Sequence, residues 1–320
     1  MGTTCTICNS LLSTKIIRDI IIDDAAYDVY YCEGCKVGVV IPMPSKEELA
    51  AMYSSGNYRA EKGKRFNPVV EFSIYLSRIY RKQRIKRYVR GGSLLDIGCG
   101  RGLFIDIMRR DGWAVTGVEY SAETAEDVSK TYGIPVVSGE PPAWGFQDGS
   151  FNVITMNHVL EHLHNPDKMV GECRRLLKKS GLFVCATPNI ASLQASAGKG
   201  RWFHLDVPYH IHHFSEAGLV KLLEKHSLRI VRIRRFDVEY DPFGWLQTLL
   251  NISGIRRNYL YDLLKNPELG KRELARARKR DMLLTLVLLP LYVPLSLALS
   301  LFESFALKRG GSVEVFAMRD

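Results

Sequence analysis

The sequence predicts an α/β protein built on a doubly wound, mainly parallel sheet, and three observations predict it. From Ser93 to Phe236, short apolar runs alternate with stretches of helical period, the pattern of repeated strand–helix–strand units. The first run ends in a glycine-rich turn, "DIGCGRG" at 96–102, and the second ends in an acidic residue, Glu119, seventeen residues after Gly102. Sheets of this kind bind ligands at the carboxyl ends of their strands, where the turn and Glu119 both fall.

The chain has 320 residues, 46% of them apolar, enough to fill a core. Its formal charge of +10 favours a partner rich in phosphate or carboxylate: nucleic acid, a nucleotide-linked substrate or an anionic membrane surface. No apolar signal core follows Met1, so the expected location is the reducing compartment where the chain is made, the cytoplasm.

Residues 1–44 are expected to form a zinc ribbon. Cys5 and Cys8, then Cys32 and Cys35, make two C-x2-C pairs separated by 23 residues. Two such knuckles supply four thiolates for a tetrahedral, closed and therefore structural zinc site, and a disulfide pairing would need an oxidising compartment. The runs "YDVYYC" and "KVGVVIP" read as the ribbon's strands, whereas Cys99, Cys173 and Cys185 sit among apolar residues as buried, inert thiols.

A helical connector follows over 45–90. Ser45 with Glu48 three residues on is a capping box, and 68–89 has a helical period with a basic second half: Arg78, Arg81, Lys82, Arg84, Lys86, Arg87 and, just beyond, Arg90. Such a helix can grip nucleic acid. The absence of an accompanying aromatic stacking platform favours a solvated or membrane-facing surface.

The core is expected over 91–236 together with 312–320. Its strands are "SLLDIG", "AVTGVEY", "PVVSG", "FNVITMN", "GLFVCAT", "LRIVRIRRF" and, last, "SVEVFAM". Because position 103 is Leu, the first turn is G-x-G-x-G (Gly98, Gly100, Gly102) and not the G-x-G-x-x-G of dinucleotide binders. Glycines let a ligand approach the backbone, Asp96 can favour a cation, and Glu119 can accept the hydroxyls of a ribose.

With these residues in place, 93–235 resembles the class I S-adenosylmethionine-dependent methyltransferases. The resemblance implies a seven-stranded Rossmann-like methyltransferase sheet whose last strand is antiparallel. It further implies that Asp96, Gly98, Gly100 and Gly102 cradle the methionine part of S-adenosylmethionine, Glu119 takes the ribose, Tyr120 lies on the adenine and Glu140 lies near its amino group. Asn157, ending the fourth strand, is counted with the same site.

The segment "NHVLEHLHNP" is similar to the E-V-L-E-H signature of ubiquinone-type O-methyltransferases, whose two acids and His are associated with a divalent metal. Here His158 stands in place of the first acid, and Glu161 and His162 are expected to order the pocket. The stretch "WFHLDVPYHIHHFS" resembles a segment of a subgroup associated with surface polysaccharide and sugar metabolism, in which a cysteine ribbon commonly precedes the core. Methyl transfer needs a place for the acceptor's proton, and histidine suits that task near neutral pH. His210 is the first candidate base, followed by His213 and His158.

Residues 237–311 are an insertion between the last two strands. Within it, 282–301 is a run of twenty uncharged residues, and a single crossing of a bilayer there would strand the final strand on the wrong side. Pro290 and Pro294 suggest a bent pair of short helices dipping into the cytoplasmic leaflet, with cationic flanks against anionic headgroups. The expected function is a membrane-associated methyltransferase acting on a sugar or lipid-linked glycan. O-methylation of a lipophilic quinone-like ring is the second enzyme reading, an RNA-binding methyltransferase the third, and a catalytically silent scaffold the last.

Overall fold

A computed structural model describes residues 4–22, 25–54, 66–141, 144–264 and 279–320. Near the start of the chain lie three antiparallel strands, β1 (Thr14–Ile22), β2 (Ala25–Cys32) and β3 (Val37–Ile41), the second knuckle joining β2 to β3. Helix α1 (Lys46–Ser54) follows its capping box: Glu48 N–H donates to Ser45 Oγ at 3.1 Å and Ser45 N–H to Glu48 Oε2 at 2.7 Å. Helix α2 (Pro68–Lys86) is capped by Asn67, which accepts from Val70 N–H at 3.1 Å, and it starts on Pro68, where a missing N–H costs nothing.

The core then runs β4 (Ser93–Ile97), α3 (Leu103–Arg110), β5 (Ala114–Glu119), α4 (Ala122–Tyr132), β6 (Val136–Ser138), β7 (Phe151–Asn157), α5 (Pro166–Leu176) and β8 (Leu177–Pro188). Next come α6 (Leu193–Gly198), β9 (His212–Phe214), α7 (Glu216–Lys225), β10 (Leu228–Arg234), α8 (Asp241–Ile252), α9 (Tyr259–Leu264), α10 (Lys279–Leu301) and β11 (Ser312–Arg319). Seven strands form one sheet in the order β10-β11-β8-β7-β4-β5-β6, antiparallel only where β11 meets its neighbours. One face is closed by α5 and α7 over Ile97, Ile154 and Val315, the other by α2, α3 and α4 over Leu94, Val153 and Phe316. Two covered faces explain why the central strands read as continuous apolar runs without alternation.

Two expectations need correction. The N-terminal sheet does not stop at residue 44: β9 adds to its edge, pairing Val37 with Phe214, Gly38 with His213 and Val39 with His212. An edge strand with unmet amides accepts a partner, and Gly38 leaves the room, since a Cβ there would sit 3.2 Å from that of His213. Ser215 Oγ also donates to Lys36 O at 2.6 Å, and Thr6 Oγ1 lies 2.7 Å from His212 Nε2, so both knuckles grip this segment.

The second correction is that 282–301 is not a bent pair of helices. α10 runs unbroken through Pro290 and Pro294 and ends in a π-turn at 302–306. Prolines four residues apart remove their hydrogen bonds from a single side, while Leu284, Leu288 and Tyr292 hold the opposite side against Leu250, Ile255 and Tyr259 of the α8–α9 region. α8 to α10 thus lie in sequence between β10 and β11, which are neighbours in the sheet. Most of the basic stretch expected to precede the apolar run falls in 265–278, outside the described residues.

Candidate functional site

The carboxyl ends of β4, β5 and β7 open into a cleft of about 1440 Å³. That exceeds the roughly 300–1,000 Å³ of a site for one small molecule and leaves room for two. At its floor the chain turns sharply after Ile97, with Gly98, Gly100 and Gly102 at φ 73°, 55° and 75°. A Cβ on Gly98 would lie 2.3 Å from Val159 Cγ2, whereas one on Gly100 would meet nothing within 4 Å, because Gly100 faces the open cleft. Gly102 differs from expectation: it is packed beneath α4, where a Cβ would come 2.5 Å from Val128 Cγ1, and it positions the turn without lining the cleft.

Glu119 is buried and ties the turn together. Its Oε2 accepts from Gly100 N–H at 2.9 Å and its Oε1 from Tyr120 N–H at 2.8 Å. Oε1 also accepts from Ser121 N–H at 3.4 Å, so the carboxylate is held in a fixed orientation at the wall of the cleft. Tyr120 lines the cleft half exposed. Glu140, across from it, is engaged by Lys46 of α1, Nζ to Oε2 2.6 Å, so its nearest charge is a lysine. Asp96 Oδ1 accepts from Thr155 Oγ1 at 2.6 Å; burial pushes its carboxyl up to about 6, against the hydrogen bond from Thr155 and the charges of Arg81 and Arg78.

Sequence reasoning missed the arginines. Arg81 and Arg84 of α2 are each 4% exposed, Arg78 pairs with Glu239, and Arg84 donates to Glu314 at 2.8 Å. Arg81 lines the cleft beside Asp96 and Gly98, its guanidinium 5.5 Å over the Phe104 ring, and its Nε has no hydrogen-bond partner among the described residues. A buried cation with an unmet donor is a place for an anion such as a ligand carboxylate. The signal was available as Arg78, Arg81 and Arg84 at spacings of three, but which way that stripe faces is not a property of the helix alone. Asn157 also lines the cleft, both its side-chain polar atoms buried and without a partner among the described residues.

The other end of the cleft collects imidazoles around one carboxylate. Glu161 is 1% exposed; among the described residues neither oxygen has a close hydrogen-bond partner, and His158 Nδ1 lies 3.4 Å away. Burial alone would raise its carboxyl, but His158, His162 and His210 hold it down at about 2. Burial lowers His162 to about 4 and His204 to about 3, so both are neutral at physiological pH. His158 takes a left-handed backbone (φ 52°) and stacks 4.0 Å from the Tyr240 ring, a contact no sequence motif announced. Beyond it the wall turns apolar, with Phe243 and Leu246 from α8 and Val293 and Leu297 from α10.

Of the three expected bases, the structure brings His158 and His210 to the cleft and leaves His213 out. His213 is 3% exposed on β9, behind His210, and burial pushes its pKa well down, so it cannot reach an acceptor there. His210 Nδ1 lies 2.8 Å from the His204 carbonyl, and that bond fixes Nε2 as the basic nitrogen. His162 Nδ1 is held likewise by the Tyr209 carbonyl at 2.9 Å.

Two side-chain groups have donor sets that suit a metal. Cys5, Cys8, Cys32 and Cys35 bring their sulfurs within 4.8 Å of one another, with Cys8 and Cys32 at 3.5 Å, close to the roughly 3.8 Å between thiolates on a tetrahedral zinc. Glu161, His162 and His210 bring their ligand atoms within 4.8 Å as well, and the unpartnered oxygens of Glu161 are what an ion would satisfy. Two imidazoles whose other nitrogen is held by a carbonyl, plus one carboxylate, suit a divalent transition metal better than magnesium.

Residues 75–233 match a family model described as a methyltransferase domain. The chain is 30% identical over 149 residues to a protein named a probable S-adenosylmethionine-dependent methyltransferase from Mycolicibacterium smegmatis, covering 46% of this chain and 56% of that protein. It is 34% identical over 145 residues to the ubiquinone biosynthesis O-methyltransferase of Caulobacter vibrioides, covering 40% and 56%, and 30% identical over 184 residues to that of Xanthomonas oryzae pv. oryzae, covering 53% and 74%. It therefore spans little more than half the length of the first two. Among solved structures, the [4+2]-cyclase SpnF shares the fold, with a TM-score of 0.51 at 15% identity over 87% of this chain and 97% of that one.

Proposed function

The chain belongs to the S-adenosylmethionine-dependent methyltransferases, and from that premise we propose that it methylates a hydroxyl of a lipophilic, ring-bearing small molecule. One observation carries the reading: a single cleft joins the polar glycine turn to an apolar wall built by α8 and α10. The relatives named ubiquinone biosynthesis O-methyltransferases weigh toward such a ring, and away from the sugar or lipid-linked glycan expected from the sequence alone.

Bound S-adenosylmethionine supplies a methyl group on a cationic sulfur. This chain's residues would hold the donor along its length: Arg81 the carboxylate and Asp96, through charge, the ammonium of its amino-acid head, Glu119 its ribose hydroxyls, and Tyr120 its adenine face. Gly100 would allow close backbone approach, and Asn157 stands between donor and acceptor ends. Fixing both partners in line is the larger part of the rate gain available here. His210 Nε2 would take the acceptor's proton, with His158 and Tyr240 as the platform against which the ring stacks. Were Glu161, His162 and His210 to hold a divalent ion instead, the ion would polarise the acceptor oxygen, and His210 Nε2, then a ligand, would no longer serve as the base.

In this reading the four cysteines hold a structural zinc, and the protein works at the cytoplasmic face of a membrane, where lipophilic acceptors reside. The deciding experiment gives labelled donor and purified protein to a membrane lipid extract, a lipid-linked glycan fraction and RNA in parallel. Label in the quinone-containing fraction supports the proposal, and label confined to glycan or RNA refutes it.

A further inference from the structure

We propose that α10 is an interfacial helix that lies along an anionic lipid leaflet with its apolar stripe embedded, and that its 293–297 turn forms the wall past which a lipophilic acceptor moves from leaflet to cleft. The inference rests on the lipophilic-acceptor reading above, and it concerns residues beyond the 75–233 matched by the methyltransferase model.

Beside Leu284, Leu288 and Tyr292, which pack inward on the α8–α9 region, the helix turns its polar groups in and leaves apolar side chains bare outside. Its inward side carries Asp281, Thr285, Ser296 and Ser300, all buried, and continues to Glu303 at 0% exposure. Its outward side carries Leu283, Leu286, Val287 and Leu291, each 61–63% exposed, and continues to Phe305 at 66%. A helix facing water has the opposite arrangement. Glu303, Ser296 and Ser300 are committed: Trp245 Nε1 donates to Glu303 Oε2 at 2.6 Å, and the Ser296 and Ser300 hydroxyls bond carbonyls of their own helix, while Ser253 and Tyr292 share a 2.8 Å bond.

From Lys279 to Ala306 the segment is long and apolar enough to cross a membrane. Crossing is excluded by its tethers, because its inward side packs on α8 and the chain returns at Ser312 into the sheet, between β10 and β8. A helix bound to the body along one side can only lie flat on a leaflet.

Charge selects the leaflet over a second copy of the chain. Lys279 and Arg280 are exposed at one end and Lys308 and Arg309 at the other, in a chain of formal charge +10. Facing copies would oppose these cations, whereas anionic headgroups attract them. Continuity with the cleft supplies the reason for docking: Val293, Pro294 and Leu297 line the cleft and are exposed, on the same helix as the bare Leu286, Val287 and Leu291.

The test uses the full-length chain and two vesicle types, phosphatidylcholine alone and phosphatidylcholine with phosphatidylglycerol. The wild type should float with the anionic vesicles at least tenfold more than with the neutral ones. A variant carrying Leu286→Gln, Val287→Gln and Leu291→Gln, none of which lines the cleft, should lose at least tenfold of that binding with unchanged donor affinity. Lys308→Glu with Arg309→Glu should abolish the preference for anionic vesicles while keeping the fold. The proposal is overturned if the wild type ignores both vesicles, if the triple variant floats like the wild type, or if light scattering finds a stable dimer that the triple variant dissolves and that stays out of vesicles. Donor affinity, measured in the same samples, reports separately on the methyltransferase reading.

Discussion

Helix α2 buries arginines and exposes aromatic rings, whereas α10 buries hydroxyls and exposes leucines. In α2, Arg81 and Arg84 are each 4% exposed while Phe72 is 62% exposed; in α10, Ser300 is 1% exposed while Val287 is 63% exposed. Both invert the usual arrangement, for different reasons. The buried charges of α2 face carboxylates on distant elements, Glu239 and Glu314, and leave Arg81 Nε unmet. The buried hydroxyls of α10 satisfy themselves on their own backbone. Inward polarity with an unmet group points to a ligand inside. Inward polarity that is already satisfied puts the function on the outward apolar side.

The strongest way to break this comparison is Arg81→Leu. It should weaken S-adenosylmethionine binding by about 10- to 100-fold in calorimetry, the worth of a charge-assisted hydrogen bond of roughly 1.5–3 kcal/mol. It should not lower Tm, because an unpaired buried guanidinium is costly to keep. A lower Tm with unchanged donor affinity would make α2's charges structural and erase the contrast.

Acidity sharpens the same half. The donor brings cationic groups, so its complex favours ionised Asp96, whose carboxyl burial has pushed up to about 6. Donor affinity should therefore be fully present above about pH 6 and fall as pH drops below it, by up to about tenfold per unit. Titrations at several pH values, repeated on Asp96→Asn, should show the wild-type slope vanish in the variant.

In the π-turn that ends α10, Glu303→Ala should cost about 1–3 kcal/mol in urea unfolding, because Trp245 Nε1 and the Gln194 backbone N–H, at 2.6 and 3.2 Å, lose their acceptor. The smallest effect is expected from Ser300→Ala, within about 0.5 kcal/mol by the same measurement, since that hydroxyl bonds only its own helix. A larger cost would mean that the Ser300 hydroxyl, like the buried arginines of α2, holds something from across the interface.

Much of the fold was legible because it depends on near neighbours in the chain. Apolar runs followed by helical periods dictate parallel units, the Ser45–Glu48 pair starts a helix, and G-x-G-x-G must turn where a side chain would strike Val159. Glu119 was legible too, because it ends the strand that pairs with the one leading into that turn. The run at 282–301 announced an apolar surface but not its shape. Proline predicts a break, and only the packing of Leu284, Leu288 and Tyr292 kept the helix whole.

By itself, then, the sequence determined the alternation of elements, the glycine turn, the two cysteine knuckles and the presence of an apolar helix, each set by a few adjacent residues whose preferences need no partner. Tertiary structure alone decided that β9 joins the N-terminal sheet across more than 170 residues and takes His213 away from the cleft. It alone decided that α2 turns Arg81 inward and that α10 turns its leucines out. The physical reason is that the facing of a residue is a relation between two surfaces: a three-residue strand or an arginine stripe has the same local energy on either side until the opposite surface is in place.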